Sequence, residues 1–171
     1  MNLHQLGNRA DLDIADIGIA MWGRERPEID CSGKAITGRI LRLSEFFMNA
    51  MNRNMIRFGV KYSQYAIIGT LRASGKPYRM SPSDLRSTLM ITSGGLSNLL
   101  RKVEAQGFVR RVDDPTDGRG VIVELTQKGF ELSEKAMIAQ AELERTLVAA
   151  LDPDEQEHMA SMLRRLVLSN R

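Results

Sequence analysis

Apolar residues recur along this chain at two spacings, and the change between them marks the elements. From Ser93 to about Gln106, the residues Leu96, Leu99, Leu100 and Val103 hold the i, i+3, i+4, i+7 positions of a buried helical face. Gly107 suits the end of that helix. Beyond it the spacing falls to two: Val121, Val123 and Leu125 alternate, and Phe108–Val112 and Val121–Leu125 read as two strands. Pro115, Gly118 and Gly120 supply the turn between them. A short helix comes before this group, with Ser81 at the cap, Pro82 at the first position, Asp84 three residues after the cap, and Leu85 and Leu89 on one face. The turn that joins the two helices falls near Met90–Thr92. Longer helices lie on either side. Ile36–Arg57 carries Ile36, Ile40, Leu43, Phe47 and Ala50 along one side, and Lys61–Ala73 turns Tyr65, Ile68 and Leu71 or Ile67 inward before the turn at Ser74–Pro77. Thr126 caps a helix that runs to about Ala150. Asp152, Pro153, Asp154 and Glu155 start a last one, which bears Met159, Met162, Leu163, Leu166 and Val167. At the other end, Ala10–Met21 predicts a short amphipathic helix, broken by the segment around Pro27.

Helix, tight turn, helix and a β-ribbon in succession is the layout of a winged helix-turn-helix, whose second helix enters the major groove of DNA. The expected fold is therefore mainly α with a small β-wing. The polar face of the second helix fits such a role: Gly94, Ser97, Asn98 and Arg101, with Lys102 beside them. Asn98 and Arg101 have the chemistry for contacts to base edges, with Ser97 alongside, whereas Thr92 and Ser93 can bind phosphate through hydroxyls or the helix N-terminus. Arg110 and Arg111 add basic charge on the first strand of the ribbon. Arg119 at the wing tip can enter the minor groove, with Asp117 orienting it.

At these residues the chain resembles the MarR family of bacterial transcription regulators. The stretch TSGGLSNLLRKVEAQGFVRR, the wing DPTDGRG and the following LTQKG carry the likeness. The family pattern is Asp-Pro-x-Asp-x-Arg and then Leu-Thr-x-x-Gly, matched by Asp114, Pro115, Asp117, Arg119, Leu125, Thr126 and Gly129. The resemblance extends more weakly from about residue 36 to the C-terminus. It implies an obligate dimer, DNA binding and control by a small molecule that binds between the DNA-binding lobe and the dimer helices. It also implies that the helix from Ile36 contributes to the dimer interface. The N-terminal arm, with Trp22 and an Arg-Pro segment, is similar to the urate-responsive branch of the family. The acidic and basic ligand-linked positions of that branch fall on Ala66 and Leu99, so a urate-like purine is not expected.

The helices outside the winged segment carry more apolar surface than a small domain needs, and pairing with a second subunit is the simplest use for it. The expected organisation is an arm over 1–35, a helical dimerisation region over 36–60 and 126–171, and a winged helix-turn-helix over 61–125. Ile36, Ile40, Leu43, Leu147, Leu151, Leu163 and Leu166 are the expected interface residues. A C2 dimer would place two reading heads on a pseudo-palindromic double-stranded operator. Trp22, Phe46, Tyr62 and Tyr65 are candidates for a pocket that takes a small aromatic or phenolic effector, since aromatic rings offer flat apolar walls with a polar edge. Ordinary packing is the competing reading for each of them. The expected function is a dimeric, sequence-specific transcriptional regulator, a repressor released by an effector.

Charge sharpens this picture. The net charge is only +3, but the distribution is uneven. Ser93–Arg111 holds four basic residues against one acidic, and Lys34–Lys61 six against one, while Glu124–Glu157 holds nine acidic against three basic. A polyanion against one face suits this asymmetry. With 171 residues the chain is long enough for one ordinary core. No apolar run reaches membrane-spanning length and no secretory signal opens the chain, so a cytoplasmic protein with no membrane partner is expected. The two histidines, His4 and His158, have no metal-ligand spacing, and no phosphate loop or nucleophile elbow is present. No enzyme activity and no cofactor or metal are expected. Two alternatives remain beside the main reading: a redox-sensing regulator that uses the single cysteine, Cys31, and a winged helix that binds protein rather than DNA.

Overall fold

A computed structural model describes residues 12–114 and 120–170. The chain divides into two compact units, one up to Asn49 and one from Ala50 onward. In chain order the elements are α1 (Ile14–Glu25), α2 (Lys34–Ile56), α3 (Tyr62–Ala73), β1 (Arg79–Met80), α4 (Pro82–Leu89), α5 (Ser93–Ala105), β2 (Val109–Asp113), β3 (Val121–Leu125), α6 (Gln127–Leu147) and α7 (Pro153–Ser169).

In the first unit, α1 starts later and runs further than the hydrophobic pattern predicts. Asp13 is its N-cap, accepting from the amides of Ala15 and Asp16 while Asp16 bonds back to the Asp13 amide. This reciprocal cap fixes the start at Ile14, and the helix carries on through Trp22 to Glu25. Arg39 of α2 then reaches both aspartates, with Nε 2.8 Å from Asp13 and Nη2 2.8 Å from Asp16. The guanidinium holds the Asp16 carboxyl below its ordinary range. Ala15 is buried, and a Cβ on Gly38 would stand 3.5 Å from its methyl, so α1 and α2 meet where both side chains are small.

The second unit has a single apolar core. Ile67, Ile68 and Leu71 of α3, Leu85 of α4, Val103 of α5, Val123 of β3 and Met55 at the end of α2 are wholly buried. Each such side chain removed from water contributes about 1.5–3 kcal/mol. Both isoleucines of α3 turn inward, where the sequence pattern left a choice between Ile67 and Leu71 as partners for Ile68. The sheet has three antiparallel strands in the order β1-β3-β2, one more than the two-stranded ribbon expected. The third is the two-residue β1, where Arg79 lies opposite Glu124 and Met80 opposite Val123. Two residues leave no periodicity to read.

The end of α5 is locked to the start of α6. Thr126 caps α6 by accepting from the Gly129 amide at 3.1 Å. Its hydroxyl hydrogen goes to the Gly107 carbonyl at 2.7 Å, with the Phe108 carbonyl also close at 3.1 Å. Lys128 donates to the Gln106 carbonyl at 2.8 Å. A Cβ built on Gly129 would lie 2.1 Å from the Phe108 carbonyl oxygen, so only glycine fits there. This explains physically why a Leu-Thr-x-x-Gly segment sits here: Leu125 enters the core, Thr126 caps and ties, and Gly129 permits the approach. We expect Gly129→Ala to destabilise the fold by about 1–3 kcal/mol or more, because the obstructing atom is backbone and cannot swing away. Urea denaturation measures this directly.

Candidate nucleic-acid interface

The geometry of α5 follows from what surrounds it. Ser81 caps α4 by accepting from the Asp84 amide, and Met90 ends that helix in the left-handed conformation, with φ 51°. The chain then turns through Ile91 to Thr92, whose hydroxyl caps α5 by accepting from the Gly95 amide at 3.1 Å. Leu96, Leu100 and Val103 are no more than 4% exposed, so they fix the rotation of α5 about its axis. At its far end Gln106 bonds to Gln64 of α3 at 2.7 Å and to the Gly59 carbonyl at 3.3 Å.

With that rotation set, Thr92, Ser93, Ser97, Asn98, Arg101 and Lys102 all lie exposed on the outward side of α5. The structure brings these six expected residues onto one surface. Two contacts were not legible in the sequence. Arg86 of α4 donates to the Ser93 hydroxyl at 3.2 Å, which links the two helices across the turn. Arg101 Nη2 donates to Asn98 Oδ1 within α5.

The arginines of the sheet stand on β2 as expected, each paired with a carboxylate. Arg79, Glu124 and Arg110 stand directly opposite one another across β1, β3 and β2. Glu124 is only 7% exposed and lies between both guanidiniums, accepting from Arg79 Nε on one side and Arg110 on the other. Burial alone would raise the Glu124 carboxyl. The hydrogen bonds and charges of Arg110 and Arg79 outweigh it, and the group titrates below its ordinary range. Arg111 points to the other side of β2 and pairs with Glu104 of α5 at 3.3 Å. Asp114 closes the base of the wing, its amide donating to the Gly120 carbonyl at 2.9 Å. Asp117 and Arg119, expected at the wing tip, lie outside the described residues.

The aromatic candidates fall into two groups. In the first unit, Trp22 and Phe46 are about half exposed, at 46% and 51%. An opening of about 470 Å³ beside Trp22 is lined by Met21, Arg24 and Glu25, and the Arg42 guanidinium lies 4.2 Å from the centre of the Phe46 ring. In the second unit, Tyr62 and Tyr65 pair with ring centres 6.4 Å apart, and the Tyr65 hydroxyl donates to Met137 Sδ at 3.3 Å. Burial first, and the negative charge of Glu144 second, push both phenols up, so they are neutral at physiological pH. Ala66 is half-buried on α3, and Leu99 packs at the rim of the core. Cys31 is half-buried before α2. The His158 ring is bonded to the Asp154 carbonyl at 2.8 Å. Among the described residues no group of histidine, cysteine or carboxylate side chains could hold a metal, and no helix is long and apolar enough to cross a membrane.

Comparison with known proteins decides which family uses this arrangement. The MarR family profile matches residues 58–120, the span from α3 into the wing. The HTH-type transcriptional regulator PecS of Dickeya dadantii is 30% identical over 155 residues, covering 91% of this chain and 93% of PecS. The chain belongs to the MarR family. The multiple antibiotic resistance protein MarR of Escherichia coli is 24% identical over 118 residues, covering 68% of this chain and 80% of its own. Among solved structures, Sco3205, a MarR family transcriptional regulator from Streptomyces coelicolor in complex with DNA, superposes with a TM-score of 0.76 at 22% identity, over 84% of this chain and 94% of its own. A mutant MarR from E. coli complexed with operator DNA does so with 0.71 at 23% identity, over 81% and 99%. These two likenesses concern the fold. Family and relatives are transcriptional regulators rather than enzymes.

The shared carboxylate of this MarR-family sheet has a consequence for stability against pH. A carboxyl with a depressed folded-state pKa stabilises the fold fully above its unfolded value, about 4.3 for a glutamate, and loses that contribution as pH falls through the folded value. Glu124→Gln should therefore be less stable than the wild type by about 1–3 kcal/mol at pH 7. The gap should close on acidification through and below the ordinary carboxylate range. Denaturant midpoints across pH 3–8 measure it; a gap that stayed constant into acid would mean that the charge of Glu124 is not what matters.

Proposed function

We propose that this chain is a homodimeric repressor that binds a pseudo-palindromic site on double-stranded DNA and releases it when a small aromatic or phenolic molecule binds. One observation carries the DNA-binding part: the exposed residues Thr92, Ser93, Ser97, Asn98, Arg101 and Lys102 run along α5 from hydroxyls to an amide to cations. Hydroxyls and helix-terminal amides near Thr92 and Ser93 suit phosphate, and Ser97, Asn98 and Arg101 suit base edges. Arg119 and Asp117 belong to the same reading as minor-groove contacts of the wing. Arg110 and Arg111 already share their charge with Glu124 and Glu104, so their part is weak phosphate attraction at most.

Dimerisation is supported by uncovered apolar surface. The 17-residue α7 buries none of its residues, although it carries Met159, Met162, Leu163, Leu166 and Val167. Ile36, Ile40 and Leu43 of α2 are likewise exposed, whereas Leu147 and Leu151 are half-buried. Apolar stripes on this scale are stable in water only when covered. A second copy covers them symmetrically and sets two α5 helices about one DNA turn apart, roughly 34–36 Å. This supports a dimerisation region formed by 36–60 and 126–171 around a winged helix-turn-helix over 61–125, with 1–35 as an arm. The neutral phenols of Tyr62 and Tyr65 and the exposed rings of Trp22 and Phe46 support an aromatic rather than an anionic effector.

Mobility shift against the DNA beside the protein's own gene, across a salt series, tests the reading. Tight binding to one footprint that weakens steeply with salt is expected, because released counterions dominate the affinity. Arg101→Ala should cost about 1–3 kcal/mol on that footprint and far less on random DNA; equal losses on both would assign Arg101 to phosphate. Leu166→Asp should convert a dimer to a monomer in analytical ultracentrifugation and abolish tight binding, with a loss of helical circular dichroism no larger than α7 contributes. Weak, salt-insensitive association would point instead to a protein-binding winged helix.

A further inference from the structure

We propose that Asn98 and Arg101 read the operator as one donor-only pair, in which Arg101 takes a guanine and Asn98 is the positioning residue that aims it. The inference rests on the DNA-binding reading above and narrows it to a base. Its observation is the bond from Arg101 Nη2 to Asn98 Oδ1, one helical turn apart on the exposed side of α5. A guanidinium has five N–H donors and no acceptor, so chemistry decides which end of the Asn98 amide faces it: the oxygen must. That choice turns the only side-chain acceptor atom of the pair toward the guanidinium. What remains to face outward is the Asn98 Nδ2 amide, with two N–H groups, and the free edges of the guanidinium.

The base edges of the major groove then sort themselves. Guanine shows two acceptors, N7 and O6, and satisfies a guanidinium fork completely. Adenine shows one acceptor and one donor, and its usual asparagine contact needs the amide oxygen to face the base edge, whereas here it is turned toward Arg101. Cytosine shows an N4 donor and opposes the pair outright. Thymine O4 offers a single acceptor, enough for Asn98 Nδ2 but not for the fork. The pair therefore demands guanine at the base facing Arg101 and an acceptor, guanine or thymine, at the neighbouring base facing Asn98. Leu96 and Leu100 hold α5 in one rotation, and the Asn98 oxygen removes much of the remaining freedom of Arg101. Less rotamer entropy is then lost when the fork meets its base.

Binding-site selection from random duplexes with the full-length wild-type protein, followed by single-base analogues, tests this. One guanine in each half-site should be required. Replacing it with 7-deazaguanine, which keeps Watson–Crick pairing but lacks the N7 acceptor, should weaken wild-type binding by roughly tenfold and leave Arg101→Ala unaffected. Asn98→Ala should reduce the preference at that same base pair severalfold, and the double variant should be no less selective there than Arg101→Ala alone. Asn98→Asp keeps an oxygen for the guanidinium, so the guanine preference should survive while overall affinity falls. The proposal is overturned if Asn98→Ala relaxes only a separate position at which the wild type selects adenine. It is equally overturned if the selected half-site needs no guanine. If the wild type selects no sequence at all, it falls together with the DNA-binding reading.

Discussion

The hydroxyl of Thr126 and the missing side chain of Gly129 hold the first turn of α6 against the last turn of α5. Two carbonyls at the end of α5 lie within reach of that hydroxyl, Lys128 donates to a third, and the backbone approach at Gly129 is closer than any Cβ allows. Those carbonyls belong to Gln106, Gly107 and Phe108, the segment that leaves α5, and the junction satisfies them with groups at the start of the next helix. The start of α6 is thereby tied to the segment that connects α5 to β2.

The same economy governs the charges around the reading surface. Four cations stand on α5 and β2, and among the described residues those on α5 are exposed with no ion pair. Arg111 is paired with Glu104, and Arg110 shares Glu124 with Arg79. Exposed pairs contribute little to stability. The nearly buried Glu124 is different, because a carboxylate out of water needs both guanidiniums to remain ionised. Its effect is to staple the two-residue β1 to the wing and to keep β2 and β3 in register. The four basic residues counted against one acidic in Ser93–Arg111 are thus divided by the fold into a paired part on the sheet and an exposed part on the helix.

Much of this was legible beforehand, and the reasons are physical. Leu96, Leu100 and Val103 at helical spacing, Ser81 and Thr126 at caps, and the alternation of Val121, Val123 and Leu125 are local signals, so the helices and the ribbon could be placed from them. The outward face of α5 followed by subtraction. The long-range features were not legible. β1 is too short for periodicity and exists because Arg79 and Met80 find partners more than forty residues away. The bond from Arg39 to Asp13 and Asp16 spans a turn whose geometry no pattern announces. Met90 occupies a left-handed position that usually favours glycine, so its role as the hinge between α4 and α5 carried no compositional mark. The aromatic candidates were legible only as residue types. Tyr62 and Tyr65 pack against each other and Met137, while Trp22 and Phe46 belong to a different unit, and residue type alone does not tell which aromatic surfaces meet.

The uncovered stripe of α7 bears on how such a molecule would be controlled. A helix with no buried residue in the single chain draws its stability as a packed element from whatever covers it. If a second copy does so, folding of α7 and association become one equilibrium, and occupancy of the DNA depends on protein concentration through that step as well as through binding. Under the proposed function, an effector need not touch the exposed face of α5 to release DNA. It need only favour one packing of the apolar helices over another, and the energy it must supply is the difference between the two spacings of the α5 pair on DNA, not the whole affinity. The polar face of α5 then needs no moving part of its own.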